Sequence, residues 1–483
     1  MSDPTPRRMT FVHLDLGIGG AERLVVNVAC AAQRLGYEVR LATSHHDPRH
    51  AFDETRRGGA LGACVAVYGD WLPRQLLGRG TAMCAIVRMV YMSIIVLLQI
   101  LLRRAWDIYC GRGFAAREVV FIDGVSAPVP LFTLCGVPVV FYCHFPDKYL
   151  CVDRRSKWKQ LYRLLIDFVE ESTTGCATLI LVNSSYTASM FAEAFPSLGA
   201  RCSPSVLYPT IEEDDDNISS TGGNDISYTA DHEHIYLSLN RYERKKNLGL
   251  AIDALCELKS GGGAAAKALL VVAGGYDERV AENVQHLEEL CAHAAARGLT
   301  YYYSQEKNNI SRGSSSSSSR VDVIFRTSIS NEERRQLLRA SVGLLYTPER
   351  EHFGIVPLEA MYSRTPVIAV RSGGPLETVL DGETGCLCPP TAQAFGDAMR
   401  RLLSTASGGG GGALLHTTMG EQGRRHVERH FTSRATERAL ARYAEGAAGG
   451  GVSADRRRMR VYSGRLLAIL ACAIGPVVLY FYC

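Results

Sequence analysis

The chain has 483 residues, of which 47% are hydrophobic and 21% charged, so most of it should fold, and its length predicts two or three domains. The net charge of +4 is too small to indicate a nucleic-acid partner. The fifteen cysteines include no C-x-x-C pair, which argues against a zinc site or a disulfide framework and favours a reducing compartment.

The first part of the chain, residues 1–210, alternates predicted strands with predicted helices. The strand MTFVHLDL leads through a glycine turn, GIGGAE, into an amphipathic helix, and YEVRLATS is the next strand. Further strands are predicted in EVVFIDGVSA, VPVVFYCHFP and ATLILV, the last followed by a helix. This alternation indicates a doubly wound parallel sheet, so we predict an N-terminal Rossmann-like domain.

An apolar segment, residues 89–102, interrupts this pattern and is flanked by Arg88, Arg103 and Arg104. The segment is short for a membrane span, and extending it would place Arg88 in the bilayer, at a cost of about 2.5–3.5 kcal/mol. We therefore predict a helix that is buried in the protein or lies in the plane of a membrane. A membrane-spanning helix is the alternative.

Residues 211–234 are acidic and polar, and they are predicted to form a linker or an exposed loop. The strand–helix pattern then resumes at IYLSLN and continues over residues 235–446, which predicts a second Rossmann-like domain. Its last helix, around residues 420–446, is a candidate to return to the first domain. The stretches SGGGAAA, SRGSSSSSS and SGGGGGA are predicted surface insertions without chemistry.

The last segment, residues 466–483, is uncharged and follows the basic run RRRMR. It just reaches the length of a membrane span, and the basic flank would hold the preceding chain in the cytosol. We predict a hydrophobic anchor here. A helix packed on the protein is the alternative, because Gly475 and Pro476 interrupt the segment.

Candidate site residues follow the predicted strands, because doubly wound sheets bind ligands at the carboxyl ends of their strands. Gly19 and Gly20 stand between a strand and a helix, where glycine lets backbone amides approach a phosphate. A simple tight turn is the alternative for these two glycines. His144 follows the strand VPVVFYC and is either a ligand-binding or a structural histidine.

Arg241 and Lys246 lie in the loop NRYERKKNL, after the first strand of the second domain and before a helix. Cations oppose the dipole at the start of a helix, so their placement favours an anionic ligand. Two fixed cations there are suited to hold a diphosphate and neutralise it as it leaves, in place of a metal ion. A solvated basic helix start is the alternative.

Glu351 and Glu359 stand on either side of an apolar run, FGIVPL, that is predicted to begin a helix. We expect Glu351 before the helix, Glu359 in its first turns, and the amides of Phe353, Gly354 and Ile355 pointing outward between them. A sugar nucleotide needs acceptors for sugar hydroxyls, donors for phosphate and a carboxylate for the ribose diol. Helix capping by Glu351, with an exposed Glu359, is the alternative.

Together these motifs resemble those of the retaining, nucleotide-sugar glycosyltransferases of the GT-B type. The E-x7-E element of that family is matched by Glu351 and Glu359, and its Arg/Lys pair by Arg241 and Lys246. The stretches FYCHFPD, NRYERKKNL, LYTPEREHFGIVPLEAMY and PVIAVRSGGPLETV look like those of the dolichol-pathway mannosyltransferases that add the second and third mannoses, in α1,3 and α1,6 linkage.

The resemblance implies an α/β fold of two doubly wound Rossmann-like domains that face each other across a cleft, with the acceptor on the N-terminal side and the nucleotide sugar on the C-terminal side. It implies GDP-mannose as donor, no metal, and Man1GlcNAc2 on dolichyl diphosphate as the acceptor that becomes Man3GlcNAc2. It also implies the cytosolic face of the endoplasmic reticulum membrane as the location, and other early mannosyltransferases of the pathway as partners.

By the same resemblance, Glu351 would contact the transferred mannose, Glu359 the ribose, and Arg241 with Lys246 the diphosphate. His144 would contact the sugar near its reacting carbon. The remaining donor-binding residues would be Gly19 and Gly20, which would close over the phosphates, and Phe353, Gly354 and Ile355.

Two alternatives stay open at this point. The chain could be another GT-B enzyme, such as the UDP-N-acetylglucosamine transferase of glycolipid-anchor synthesis. It could instead be a non-catalytic scaffold that resembles a glycosyltransferase. A scaffold should have lost some of the charged site residues, whereas all of them are present here.

Overall fold

The structure is a computed structural model that describes residues 7–75, 80–110, 117–150, 157–211, 232–305, 311–313, 321–404 and 414–449. Most of the predicted linker, residues 211–234, and all of the predicted anchor, residues 466–483, lie outside these ranges. The chain divides into two compact units: unit 1 comprises Met1–Thr210 with Ser433–Cys483, and unit 2 comprises Ile211–Thr432.

Unit 1 is built on a seven-stranded sheet. Its strands are β1 (Arg7–His13), β2 (Tyr37–Thr43), β3 (Val65–Val67), β4 (Arg117–Asp123), β5 (Val139–Cys143), β6 (Leu179–Val182) and β7 (Ser205–Val206). They are all parallel, in the order β3-β2-β1-β4-β5-β6-β7. The order reverses between β1 and β4, so the crevice that typically receives a ligand lies at the carboxyl ends of these two strands.

Helices cover both faces of this sheet. They are α1 (Gly20–Arg34), α2 (Thr81–Tyr109), α3 (Val129–Leu134), α4 (Asp147–Leu150), α5 (Lys157–Thr174), α6 (Ser185–Ala194) and α7 (Pro196–Gly199). Successive side chains of a strand point to opposite faces. Phe11 of β1 accordingly belongs to a core with Val28 of α1, and Val12 to a second core with Met92 of α2.

The apolar segment 89–102 is part of α2, a continuous helix of 29 residues. Arg88 is buried together with Met92 and Val96, so one side of the helix packs against the sheet. Leu98 and Leu102 on the other side are 54% and 69% exposed. By length and composition alone α2 also suffices to cross a membrane.

Unit 2 is built on an eight-stranded sheet. Its strands are β8 (His234–Leu239), β9 (Ala268–Gly274), β10 (Tyr301–Gln305), β11 (Ser311–Gly313), β12 (Val323–Thr327), β13 (Gly343–Tyr346), β14 (Val367–Val370) and β15 (Gly385–Cys388). The order is β11-β10-β12-β9-β8-β13-β14-β15, and only β11 runs antiparallel to its neighbour. The order reverses between β8 and β13, which places the crevice of unit 2 there.

The helices of unit 2 are α8 (Gly249–Ser260), α9 (Ala281–Ala296), α10 (Asn331–Ala340), α11 (Ile355–Tyr362), α12 (Pro375–Thr378), α13 (Ala392–Leu402) and α14 (Leu415–His430). Ser330 and Thr391 cap α10 and α13, since their side chains accept from backbone amides of the first turn. Strand β10 was not predicted from the sequence, because YYYSQ is short and leads into a low-complexity insertion.

The single last helix predicted around residues 420–446 is in fact two helices. The first, α14, ends at His430 and belongs to unit 2, and the second, α15 (Ser433–Gly449), belongs to unit 1. Helix α15 packs against α1, with Leu440 buried in their shared core. The hydroxyl of Tyr443 donates to the carbonyl of Val206, at 2.8 Å.

Candidate active-site residues

Lys246 and Glu351 are brought together at the crevice of unit 2. Lys246 lies in a 3-10 turn after β8, and Glu351 in the loop after β13. Because β8 and β13 are parallel neighbours, the loops that follow them meet at one edge of the sheet. The ammonium Nζ of Lys246 lies 2.7 Å from Oε2 of Glu351. Thr347 joins the same two loops by donating its hydroxyl to the carbonyl of Lys246, at 2.7 Å.

The second predicted cation, Arg241, lies nearer to solvent. Its side chain is 64% exposed and contacts Glu243, with Nη1 and Oε1 3.0 Å apart. Gly274 allows β9 to pass close to this loop, because a Cβ there would overlap the carbonyl of Asn240. Arg241 therefore stands at the same strand end as Lys246 but is held by a carboxylate of its own loop.

Glycines determine the backbone conformation and the packing of the loop that carries Glu351. Gly354 has a φ of +83° directly before α11, a conformation that favours glycine. The amide of Gly374 donates to the carbonyl of Glu351, at 2.8 Å. A Cβ on Gly374 would overlap the backbone of Phe353, and one on Gly373 would overlap the carbonyl of Glu351. The motif RSGGPLE therefore supports the Glu351 loop through close packing.

The other predicted residues of this segment fall on and before α11. The side chain of Phe353 is buried and its ring lies 6.1 Å from that of Phe431, so only its backbone belongs to the crevice. Gly354 and Ile355 begin the helix, as predicted. The structure thus places the amides of this segment at a helix start, where donors face the position of an anion.

Glu359 lies on α11 and has a cation of its own. Its Oε1 is 3.1 Å from Nη1 of Arg334 on α10. Arg334 was not predicted as a site residue, because nothing in the sequence of α10 distinguishes it from the neighbouring charged residues. Burial, and then the charges of Glu351 and Glu359, raise the pKa of Tyr346 well above its usual range. The buried hydroxyl of Tyr346 therefore feels the field of both glutamates.

In unit 1, His144 belongs to a line of titratable side chains at the reversal of the sheet order. Its Nε2 lies 2.7 Å from Oδ1 of Asp123, the last residue of β4. Oδ2 of Asp123 lies 2.8 Å from Nδ1 of His13, the last residue of β1. Nε2 of His13 lies 3.9 Å from Oε1 of Glu22 on α1. Imidazole rings and carboxylates therefore alternate along the line.

Of the residues in this line, His144 alone was predicted from the sequence. His13, Asp123 and Glu22 were missed, although a signal was present: TFVH and VVFID each end an otherwise apolar strand on a polar residue. Such residues lie at the carboxyl edge of a parallel sheet, where ligand-binding side chains collect.

The charge states along this line follow from burial and contact. Burial opposes a charge on the ring of His13, but Asp123 and Glu22 outweigh it and raise the His13 pKa to about 10. Burial also opposes the charge of Asp123, but His144 and His13 hold its pKa well below the usual range. At neutral pH the line therefore contains an ionised Asp123 and a protonated His13.

Gly19 and Gly20 stand at the start of α1, beside this line. A Cβ on Gly19 would overlap the carboxylate of Glu22, so the glycine allows Glu22 to fold back over the turn. A Cβ on Gly20 would meet no described atom within 4 Å. Gly20 thus borders open space, which fits a residue that lies over a ligand, and Gly19 serves the local turn.

The loop after His144 is held by two charged side chains of α5. Glu170 accepts from the backbone amide of Asp147, at 2.8 Å. Nη2 of Arg163 donates to the carbonyl of Asp147, at 3.1 Å, and its Nη1 lies 2.8 Å from the Asp147 carboxylate. Burial raises the pKa of Glu170 to about 7. The position of His144 is therefore fixed from the strand before it and the loop after it.

Two family models match the chain. "Glycosyltransferase Family 4" matches residues 18–203, and "Glycosyl transferases group 1" matches residues 226–426.

Within the described residues, no group of three or more histidine, cysteine or acidic side chains is arranged to hold a metal ion.

Characterised relatives match nearly the whole chain. An alpha-1,3/1,6-mannosyltransferase ALG2 from Homo sapiens is 42% identical over 452 residues, which are 92% of this chain and 96% of the relative. The protein of the same name from Mus musculus is 41% identical, over 90% of this chain and 94% of the relative. The one from Schizosaccharomyces pombe is 38% identical, over 96% and 85%.

Solved structures of distant sequence share the fold. Sucrose-phosphate synthase from Thermosynechococcus elongatus has a TM-score of 0.60 and 17% identity, over 92% of this chain and all of its own. WaaG, a glycosyltransferase of lipopolysaccharide biosynthesis, has a TM-score of 0.55 and 16% identity over similar shares. With the two sheets described above, these matches confirm the predicted α/β fold of the GT-B type.

Proposed function

Because the chain belongs to the ALG2 family of alpha-1,3/1,6-mannosyltransferases, we propose that it transfers mannose from GDP-mannose to Man1GlcNAc2 on dolichyl diphosphate. One α1,3 and one α1,6 linkage are formed, and the product is Man3GlcNAc2 on the same lipid. The observation that carries the proposal is the 2.7 Å contact of Lys246 with Glu351 at the crevice of unit 2. A glycosyltransferase has to bind a leaving diphosphate next to a sugar, and a cation beside a carboxylate is suited to bind the two.

On the donor side, Lys246 and Arg241 bind the diphosphate, and Glu351 binds the hydroxyls of the mannose. Glu359 binds the ribose diol, and the amides at the start of α11 face the phosphates. The exposed Arg241 supports this assignment, because a side chain in contact with solvent can leave Glu243 for a more highly charged partner. Lys246 is 11% exposed, so its charge is little screened by water and acts strongly on a nearby phosphate.

The reaction exchanges one bond at the anomeric carbon of mannose for another. The bond from this carbon to the phosphate oxygen breaks, and a bond to an acceptor hydroxyl oxygen forms on the same face, so the configuration is retained. The hydroxyl proton passes to the departing phosphate, and GDP leaves. Lys246 and Arg241 stabilise the negative charge that develops on the diphosphate, which is where preorganised donors contribute most to a rate.

No metal is needed for this step in our proposal, since two fixed cations already face the leaving group. His144 in unit 1 contacts the sugar near its reacting carbon, with Gly19 and Gly20 over the phosphates. His144 supports this role because its side chain is 28% exposed although Asp123 behind it is buried.

The acceptor is a membrane lipid, and we assign the membrane contact to α2. Leu98, Leu102 and Trp106 are exposed on its outer side, and Arg103 and Arg104 near its end suit an anionic surface. The enzyme would then act on the cytosolic face of the endoplasmic reticulum membrane. Other early mannosyltransferases of the pathway are its expected neighbours there.

Incubation of the purified chain with GDP-mannose and synthetic lipid-linked Man1GlcNAc2, followed by mass spectrometry, tests the proposal. We expect one and then two added hexoses, and no product with UDP-N-acetylglucosamine. GDP, but not UDP, should raise the melting temperature. Transfer from UDP-N-acetylglucosamine alone would favour the glycolipid-anchor enzyme, and nucleotide binding without any transfer would favour a scaffold.

A further inference from the structure

The line of side chains behind His144 has more members than the proposed reaction uses. Asp123 is 2% exposed and His13 is 6% exposed, so neither reaches solvent as a ligand-binding side chain would. Both stand at the last position of a strand, on the two neighbouring strands where the sheet order reverses. Asp123 contacts both His13 and His144, and His13 also contacts Glu22.

Each oxygen of Asp123 meets a different imidazole ring. A carboxylate oxygen 2.7–2.8 Å from a ring nitrogen favours a proton on that nitrogen, since two lone pairs would repel each other. We therefore infer that Nε2 of His144, which faces Asp123, is the protonated nitrogen of the ring. In the neutral ring this leaves Nδ1 as the hydrogen-bond acceptor.

His13 keeps Asp123 ionised. An isolated buried carboxylate would be costly and would take up a proton, whereas a protonated His13 on its second oxygen compensates the charge. Glu22 contacts the far side of the His13 ring, and Gly19 leaves the room that this requires. Each side chain in the line thus holds the next one in position, from Glu22 at the start of α1 to His144.

The ring of His144 is also fixed by packing. It meets the ring of Tyr142 edge-on, with the ring centroids 4.8 Å apart and an angle of 63° between the planes. Tyr142 is itself fully buried, and its hydroxyl donates to the carbonyl of Leu207, at 2.9 Å. One edge of the His144 ring therefore has a defined position.

We propose that Asp123, with His13 behind it, is a positioning residue that turns Nε2–H of His144 inward and presents its Nδ1 as the acceptor for a substrate hydroxyl. The inference rests on the proposed function, since Asp123 acts on the reaction only through the contact of His144 with substrate. Asp123 and His13 do not touch substrate themselves.

The kinetic test compares Asp123→Asn, His144→Ala and the double variant. An asparagine keeps the shape of the side chain but presents a mixed donor and acceptor, so the His144 ring loses its fixed tautomer. We expect kcat to fall about 10- to 100-fold in Asp123→Asn, the scale for a misplaced reactive group. Affinity for GDP should be unchanged. In the His144→Ala background the same change should have almost no effect on kcat.

Glu118 offers a matched control. It is a buried acid at the other end of β4, where its carboxylate accepts from the hydroxyl of Thr10, at 3.3 Å. We expect Glu118→Gln to leave kcat within about twofold of the wild type. A comparable fall of kcat in Glu118→Gln, or an equal fall from Asp123→Asn with and without His144, would assign Asp123 a structural role and overturn the proposal.

A second measurement does not depend on activity. The chain has thirteen histidines, so ¹⁵N labelling of histidine gives a spectrum in which His144 is assigned by its loss in His144→Ala. Wild type should show His144 protonated at Nε2, and Asp123→Asn should show a mixture of tautomers. An unchanged tautomer would overturn the proposal. If Asp123→Asn does not fold, His13→Gln is the variant to measure, with the same two outcomes.

The two measurements separate this inference from the proposed function. A wild-type protein that transfers no mannose, while Asp123 still fixes the His144 tautomer, would reject the proposed function and support the positioning of the ring. A protein that transfers mannose normally after the tautomer is released would support the proposed function and overturn the inference.

Discussion

The two units hold their candidate site charges in opposite ways. In unit 1 the carboxylate of Asp123 is 1% exposed between two imidazole rings. In unit 2 the side chains of Glu351 and Arg241 are 27% and 64% exposed, and each has one oppositely charged partner. Breaking a buried ion pair costs about 3–5 kcal/mol, whereas an exposed pair contributes about 0–1 kcal/mol.

The difference separates two tasks. A buried line of charges cannot exchange partners, so it is suited to fix the orientation of one group at its end. Pairs at the rim of a crevice exchange partners at little cost, so they are suited to receive a charged substrate. We therefore expect changes in the exposed Arg241 pair of unit 2 to alter catalysis and binding with little effect on stability. Changes in the buried groups, Asp123 in unit 1 and Lys246 in unit 2, should alter stability as well.

Lys246→Ala should have the largest effect. It removes one preorganised contact to the leaving diphosphate, so we expect kcat to fall about 10²- to 10³-fold. Both linkages should be lost together, as in Glu351→Ala, because both additions use the same donor. A time course of the Man1, Man2 and Man3 lipids measures this.

Lys245→Ala is the matched control for that experiment. Lys245 precedes Lys246 in the same turn but is 67% exposed and contacts Glu243, with Nζ and Oε2 2.9 Å apart. Its removal should leave both rates within about twofold. A Lys246→Ala or Glu351→Ala enzyme that fully retains one linkage while losing the other would contradict a single donor site for both additions.

Glu359→Gln should have the next largest effect, on binding rather than on rate. Hydrogen bonds to a charged carboxylate contribute about 1.5–3 kcal/mol, against about 0.5–1.5 kcal/mol for those to a neutral amide, so Kd for GDP should rise about 5- to 10-fold. Titration calorimetry with GDP measures it, with the exposed Glu383→Gln as control. Equal affinity in Glu359→Gln would show that Glu359 serves only its contact with Arg334.

Glu170→Gln tests the buried side of the comparison. Burial raises the pKa of Glu170 to about 7, from about 4.3 in an unfolded chain. Between these values the folded protein binds more protons than the unfolded one, so this group lowers stability as pH rises through that window. Glu170→Gln should therefore raise the melting temperature by a few degrees at pH 8 and change it little at pH 4.

The melting temperature measured from pH 4 to pH 8 by circular dichroism checks this slope. Oε2 of Glu170 has no hydrogen-bond partner among the described residues, so the amide loses nothing on that side. A Glu170→Gln protein whose melting temperature differs from wild type by the same amount at both pH values would show that the carboxylate is not titrating in this window.

Excess EDTA should have the smallest effect. If Arg241 and Lys246 neutralise the leaving diphosphate, activity should stay within about twofold after chelation. The assay is the mannose transfer described above, with and without EDTA. Loss of activity that added magnesium or manganese restores would show that the two cations do not suffice.

How far the sequence predicted this arrangement depends on which contacts are local. The positions of Glu351 before α11 and of Glu359 on α11 were predicted, because the start of a helix is determined by residues that are adjacent in the sequence. The contacts of Lys246 with Glu351 and of Asp123 with His144 were not, since they depend on which strands become neighbours. Strand order depends on packing across the whole sheet, so the sequence of a single segment does not determine it.

Helix α15 closes the core of unit 1, although it is encoded after all of unit 2. Leu440 and Tyr443 of α15 pack with the same core as α1. During synthesis, α1 leaves the ribosome early and packs on the strands of unit 1, but its contact with α15 forms only when the chain is nearly finished. Unit 2 can fold as one continuous segment in that interval. A nascent chain stalled before Ser433 would thus leave uncovered only the part of α1 that α15 contacts.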